Sequence, residues 1–190
     1  VVDAEGKVKV EDVVNNYTVK SEKLTHFRQI DKITTDGFTH ANIENDYKID
    51  TKDATYLLDT KELSSKLKST ITDNDNKIYH LDEFTYNIDT SLLKGKNVLT
   101  ITNYNLPKSD KFFFLDGIFN LQDNSFTASD TKIDIHKSIF DRTENDPRIY
   151  GTSSKGGNSR TIINKGVFTT CKKREGCPPW SIKSEKIEHD

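Results

Sequence analysis

Cys171 and Cys177 enclose five residues, three of them basic (Lys172, Lys173 and Arg174). Neighbouring cations favour thiolate, and a thiolate is the form that exchanges with disulfides. A bridge across so short a loop is geometrically easy if the two Cβ atoms face each other. The residues leave three fates open: a local disulfide between Cys171 and Cys177, pairing of each with cysteines elsewhere, or two free thiols. Zinc would need four ligands, and the only other donor nearby in sequence is the more distant His189. A catalytic thiol needs a base and a group to orient it, and no spacing here supplies them. The histidines His26, His40, His80, His136 and His189 do not pair at metal-ligand spacing. Carboxylates recur at nearly every second position of many segments, which describes a wet strand face better than an acid–base pair. Gly156-Gly157 lacks the following Lys-Ser/Thr of a phosphate loop. No cofactor, no metal and no enzymatic activity are expected.

The aromatic residues carry more information, because they alternate. Tyr47, Ile49 and Thr51 point one way while Lys48, Asp50 and Lys52 point the other, and period 2 means strand. The same text recurs at a spacing of 30 residues: the segment from Asp53 to Thr60 matches that from Glu83 to Thr90, and Tyr17 to Ser21 matches Tyr47 to Thr51. Phe126 to Ile135 is a looser copy, and Ile182 to Ile187 matches Val19 to Leu24. Ala54, Tyr56 and Leu58 lie an odd step from Ile49, and such a change of phase marks a bulge or corner between two strand halves. Only Lys61 to Ser69 leaves room for a turn or two of helix. One such unit cannot bury its own face, so the units must stack and share a core. The expected interior is lined by the alternating aromatics Tyr17, Tyr47, Tyr56, Tyr79, Phe84, Tyr86, Phe112, Phe114 and Phe126. These side chains either pack on one another or leave a trough for an apolar ligand. Three parts are expected: the repeats over 1–145, a turn-rich stretch with the cysteine loop over 146–180, and the start of another repeat over 181–190. Within the second, Gly151 to Ser159 reads as a long turn.

Bulk properties agree with a thin, all-β core. The chain has 190 residues, 33% hydrophobic and 31% charged, with a mean hydropathy of −0.73. A net charge of −2 gives no field that favours nucleic acid. No apolar run is long enough for a membrane-spanning helix. The chain begins with Val and ends in what reads as an unfinished strand, as a mature or excised fragment would.

Two features together resemble a known family. One is the degenerate repeat with its Thr-Tyr-x-Leu/Ile-Asp core. The other is Val167-Phe168-Thr169-Thr170-Cys171, a charged loop, then Cys177-Pro178-Pro179-Trp180 and the strand-like text through His189-Asp190. With the stretch from Asp146 to Gly156, they resemble the organic solvent tolerance (LptD) family of lipopolysaccharide-assembly proteins over nearly the whole chain. The resemblance implies a V-shaped β-jellyroll with an open hydrophobic groove, lined by the nine aromatics named above together with Val19, Ile49, Leu81, Ile133 and Ile135. It implies lipopolysaccharide as ligand and the periplasmic face of the outer membrane as location. A periplasmic bridge protein would add to the N-terminal edge strand, and a lipoprotein plug would bind through a barrel absent from this sequence. One departure concerns the cysteines. In the family they flank the jellyroll and pair with the barrel, whereas here both lie in one loop after it. Alternatives are a soluble bridge protein of the same transport system, a structural β-repeat module without ligand, and a β-solenoid enzyme acting on carbohydrate.

Overall fold

A computed structural model describes the chain except residues 14–15, 44–45, 75–76, 103–108, 141–143, 158, 175 and 177, and for 139–140 it describes the backbone alone. Among the described residues the fold is all-β. The strands are β1 (Val2–Asp12), β2 (Tyr17–Phe27), β3 (Lys32–Ile43), β4 (Tyr47–Lys52), β5 (Thr55–Leu57), β6 (Glu62–Ser65), β7 (Ser69–Asp73) and β8 (Lys77–Leu81). They continue with β9 (Glu83–Asn87), β10 (Leu92–Thr102), β11 (Lys111–Asn120), β12 (Phe126–Asp134), β13 (Arg148–Gly156), β14 (Thr161–Thr169) and β15 (Ile182–His189). Helix is limited to two single turns, Arg28–Ile30 and Lys137–Phe140.

Every pairing is antiparallel, and two long strands each serve two partners along one edge. β3 pairs with β4 through residues 38–43 and with β5 through 32–34. β10 pairs with β9 through 92–96 and with β8 through 99–102. The hydrogen-bonded path therefore closes on itself through eight strands, with β4, β7 and β8 as one wall and β5, β6 and β9 as the other. β2 and then β1 extend the sheet beyond β3, and β11 to β15 extend it beyond β10, each paired to its predecessor.

The change of phase after Ile49 is a corner. β4 stops at Lys52, Asp53 takes a left-handed φ of 49°, and β5 resumes at Thr55. Asn97, Asp130 and Lys165 hold similar angles within β10, β12 and β14. The hairpin ends repeat as well. Asp31, Lys61 and Ser91 all have positive φ, and each is 30 residues from the next. The carbonyl of each accepts a bond from the following hairpin end: from Leu58 N–H at 2.8 Å, Ile88 N–H at 3.0 Å and Leu121 N–H at 2.9 Å. The 30-residue period seen in the letters is thus a period of backbone conformation.

Two segments depart from the sequence reading. Lys61 to Ser69 holds strand β6 and a turn and has no helix. Most of Gly151 to Ser159 is not a turn, for β13 runs to Gly156 and pairs with both β12 and β14. Nor does the sheet break at 146 or 181, since β13 and β15 join it by the same hairpin pairing as their predecessors.

Candidate functional site

Cross-strand register turns the alternation into two continuous inward rows. On the first wall Val10 faces Val19, then Ala41, Ile49, Ile71 and Tyr79 follow in turn. The row continues through Thr100, Phe112, Ile133, Ile149 and Phe168. On the second wall it passes from His26 through Ile33, Tyr56, Leu63, Tyr86 and Leu93. Phe119, Phe126, Gly156, Thr161 and His189 complete it. Each row is one residue per strand, as pairing without a slip requires.

All fourteen residues proposed from the sequence lie in or against two hydrophobic clusters. Ile49, Tyr79, Leu81, Phe84, Tyr86 and Phe114 are buried in the main one, and Tyr17, Val19, Tyr47, Tyr56, Phe112 and Phe126 are half-buried against it. Ile133 and Ile135 are buried in a second cluster with Ile149 and Ile163. Several interior residues escaped the sequence reading, among them Leu63, Leu93 and Phe119. Their signal was the same period: Leu63 and Leu93 are one repeat apart and both face Tyr86.

The interior is filled in the middle and hollow toward its ends. Ile49, Ile71, Tyr86 and Leu93 are no more than 1% exposed. Toward β1 lies a cavity of 160 Å³ lined by Val10, Tyr17, Val19, Leu24, Ile33 and Leu58, among others. Toward β15 lies one of 340 Å³ whose wall carries Tyr79, Phe112, Phe114, Phe119 and Phe126 but also Lys77, Asp110, Arg160, His189 and Asp190, so it is part aromatic and part charged. A larger concavity of 700 Å³ lies against the second wall, bordered by outward-facing Lys94, Lys96, Asp116, Ile118 and Thr127; Phe84, expected in the groove, lines this concavity and neither of the other two. Ring pairs join the walls across the interior: Tyr47 with Tyr86 at 6.1 Å between centroids, Tyr79 with Phe119 at 5.5 Å and Phe114 with Phe126 at 5.3 Å. Such tilted geometries contribute beyond area burial.

Polar contacts span the hairpin ends of the two walls. The Tyr47 hydroxyl donates to the Leu121 carbonyl at 2.9 Å. Lys77 Nζ donates to Asn124 Oδ1 at 2.5 Å, and the Asp110 carboxylate stands 3.4 Å from His189 Nε2. Burial opposes the charge on Asp110, but the bond from His189 and the backbone N–H of His136 outweigh it and hold the carboxyl below its usual range. Burial, with lesser help from Asp73 and Tyr47, pushes the Tyr79 phenol far up, so it stays neutral.

The cysteine loop has one described thiol. Cys171 is half-exposed, and its pKa is lowered chiefly by a hydrogen bond with Thr169. Cys177 lies outside the described residues, and with it any pairing of the two. Among the described residues no His, Cys, Asp or Glu cluster could hold a metal ion. No described helix is long and apolar enough to cross a membrane. No protein-family model matches the chain, and no curated protein matches it.

Proposed function

We propose that this chain is a lipid-handling β-domain that takes up acyl chains of lipopolysaccharide between its two walls and passes them toward an outer-membrane barrel. The finer architecture in this reading is a V-shaped jellyroll: each stacked strand bends at its corner, one half in each wall, and the hairpin ends border the open side. The observation that carries the reading is the pair of inward rows, apolar on most strands, with Thr100, His26, Thr161 and His189 as the polar members, and hollow toward both ends. Each methylene moved from water into such a space contributes about 0.8 kcal/mol, and dispersion contacts have little directionality, so a chain held this way can slide. The Cys-Pro-Pro-Trp text after β14 gives the lipid its identity by resemblance. The outer edge of β1 would receive a bridge protein by strand addition, since among the described residues β1 pairs with β2 alone.

A photo-crosslinking phenylalanine analogue placed at Tyr56 or Phe112 tests this. Illumination with lipopolysaccharide should give an adduct at both positions and far less at outward-facing Lys48, which lines none of the hollows. Equal labelling at Lys48, or none at the inward positions, would remove lipopolysaccharide from the reading. A structural module without ligand is the second reading, favoured by the filled middle of the interior. It requires all three positions to stay unlabelled.

A further inference from the structure

Each end strand of the sheet carries the design of a strand from its interior. β15 reads Ile-Lys-Ser-Glu-Lys-Ile-Glu-His over residues 182–189, and β2 reads Val-Lys-Ser-Glu-Lys-Leu-Thr-His over 19–26. The likeness extends to the backbone at the corner. Ser21 Oγ donates to the Lys23 carbonyl at 2.6 Å and accepts from its N–H at 3.2 Å; Ser184 does the same with Lys186 at 2.8 Å and 3.3 Å. β1 in turn is built like β3. Glu5-Gly6 and Asp36-Gly37 each follow an acid with a glycine, at φ 82° and 83°, a region that glycine enters freely. These two corners flank β2. Lys23 faces Glu5 on one side and Asp36 on the other, and on both sides the register shifts between Lys23 and Ser21. β2 is thus enclosed by two strands of one kind. Its likeness β15 pairs, among the described residues, with β14 alone, and β1 pairs with β2 alone.

We infer that the open edge of β15 takes β1 of a second copy of this chain, in the register that β2 and β3 show within one copy. Strand direction permits it. β4 with β5, β6 with β7 and β8 with β9 each act as one bent strand, so the stack has an even number of alternating members and β1 runs antiparallel to β15. A copy added end to end continues the alternation. Ile182 then meets Val10 of the second copy, Ile187 meets Ala4 and His189 meets Val2, just as Val19, Leu24 and His26 meet Ala41, Thr35 and Ile33. The inward rows run on across the joint and cover Ile182 and Val2, which are 57% and 42% exposed in the single copy. On the wet face Lys186 meets Glu5 as Lys23 meets Asp36, while Lys183 meets Lys9 and Glu188 meets Asp3. Like charges directly opposite each other are unfavourable, so the joint is weak and reversible. Because the two meeting edges differ, every assembly keeps a free edge at each end and does not close. The inference stands apart from lipid uptake and shares with that reading only the β1 edge.

Sedimentation velocity of the whole chain over a concentration series is the test. The mean mass should climb past that of two copies without levelling there. Val2→Lys with Glu5→Lys sets cations against His189 and Lys186 and blocks the β1 end. Ile182→Lys with Lys186→Glu blocks the β15 end. All four positions are exposed in the single copy, so each variant should keep its fold, which circular dichroism checks. Each variant alone should stay a monomer. Mixed, the two hold one sound β15 edge and one sound β1 edge between them, and should form pairs and nothing larger. An unaltered chain that levels at two copies, or a variant that pairs with itself, means that like edges meet and overturns the inference. So does an unaltered chain that stays monomeric at millimolar concentration, or a mixture of two folded variants that fails to pair. None of these outcomes bears on the crosslinking of lipopolysaccharide, so the lipid-handling reading fails or stands separately.

Discussion

At the residue scale the corners and the hairpin ends hold the polar chemistry. Thr131 and Ser154 are 2% and 1% exposed, and their hydroxyls bond to each other at 2.6 Å. Thr35 with Thr39, and Thr51 with Ser69, repeat the arrangement at 2.7 Å. A buried hydroxyl stripped of its partner loses its bond without regaining water, so Thr131→Val should cost about 1–3 kcal/mol. Adding Ser154→Ala should recover most of the loss, because both ends of the bond are then apolar. Urea melts of the two single variants and the double close the cycle. Asp110 gives a pH signature. The folded chain holds its proton more weakly than an unfolded one, so its contribution is complete above the ordinary carboxyl value of 3.8 and is lost as pH falls through the lower folded value. Asp110→Asn should flatten that part of the acid-unfolding curve and leave the remainder, as thermal melts from neutral to acid pH will report. An unchanged acid slope would mean that the contact with His189 holds nothing together.

At the scale of the strand, the clearest test lies where composition misled. Gly151-Thr152-Ser153-Ser154 looks like a turn because small polar residues favour turns locally. It is strand because β12 and β14 flank it and the side chain of Ile163 fills the space above Gly151. A Cβ at that position would collide with Ile163 Cγ2 and come within 2.9 Å of the Asn164 carbonyl oxygen. Gly151→Ala should therefore destabilise by roughly 1–3 kcal/mol, as overpacking does. Chemical denaturation will show it, and an unshifted midpoint would refute the close approach. Alternation and the 30-residue period made most of the strands readable, and the odd step between Ile49 and Ala54 revealed the corner at Asp53. Register within a hairpin follows from the letters, since a slip of one residue would turn every apolar side chain outward. What escaped was everything that depends on two distant hairpins meeting. The Tyr47–Leu121 bond spans 74 residues, and the Lys77–Asn124 bond spans 47. No local pattern encodes such pairs. The filling of the middle was equally hidden, because alternation gives the direction of a side chain and not the distance to the opposite wall.

For the whole molecule, the recurring bond between hairpin ends makes the strands interchangeable along the stack. Thr60 is followed by Lys61 and Thr90 by Ser91; both followers are left-handed, and both pass their carbonyl to the next end. β4 with β5 stands to β7 and β6 as β8 with β9 stands to the two halves of β10. Excising residues 61–90 would thus splice Thr60 to Ser91 with the joint unchanged in kind and let β10 take up the partners that β6 and β7 leave. A shortened chain of this sort should fold to a smaller all-β protein with one cooperative melt and strand-rich circular dichroism; an aggregated or unstructured product would show that the units are not equivalent. Length is then a quantity this architecture can gain or lose in whole steps of one unit, so homologous chains could differ in reach by duplication or loss of a segment without redesigning a single turn.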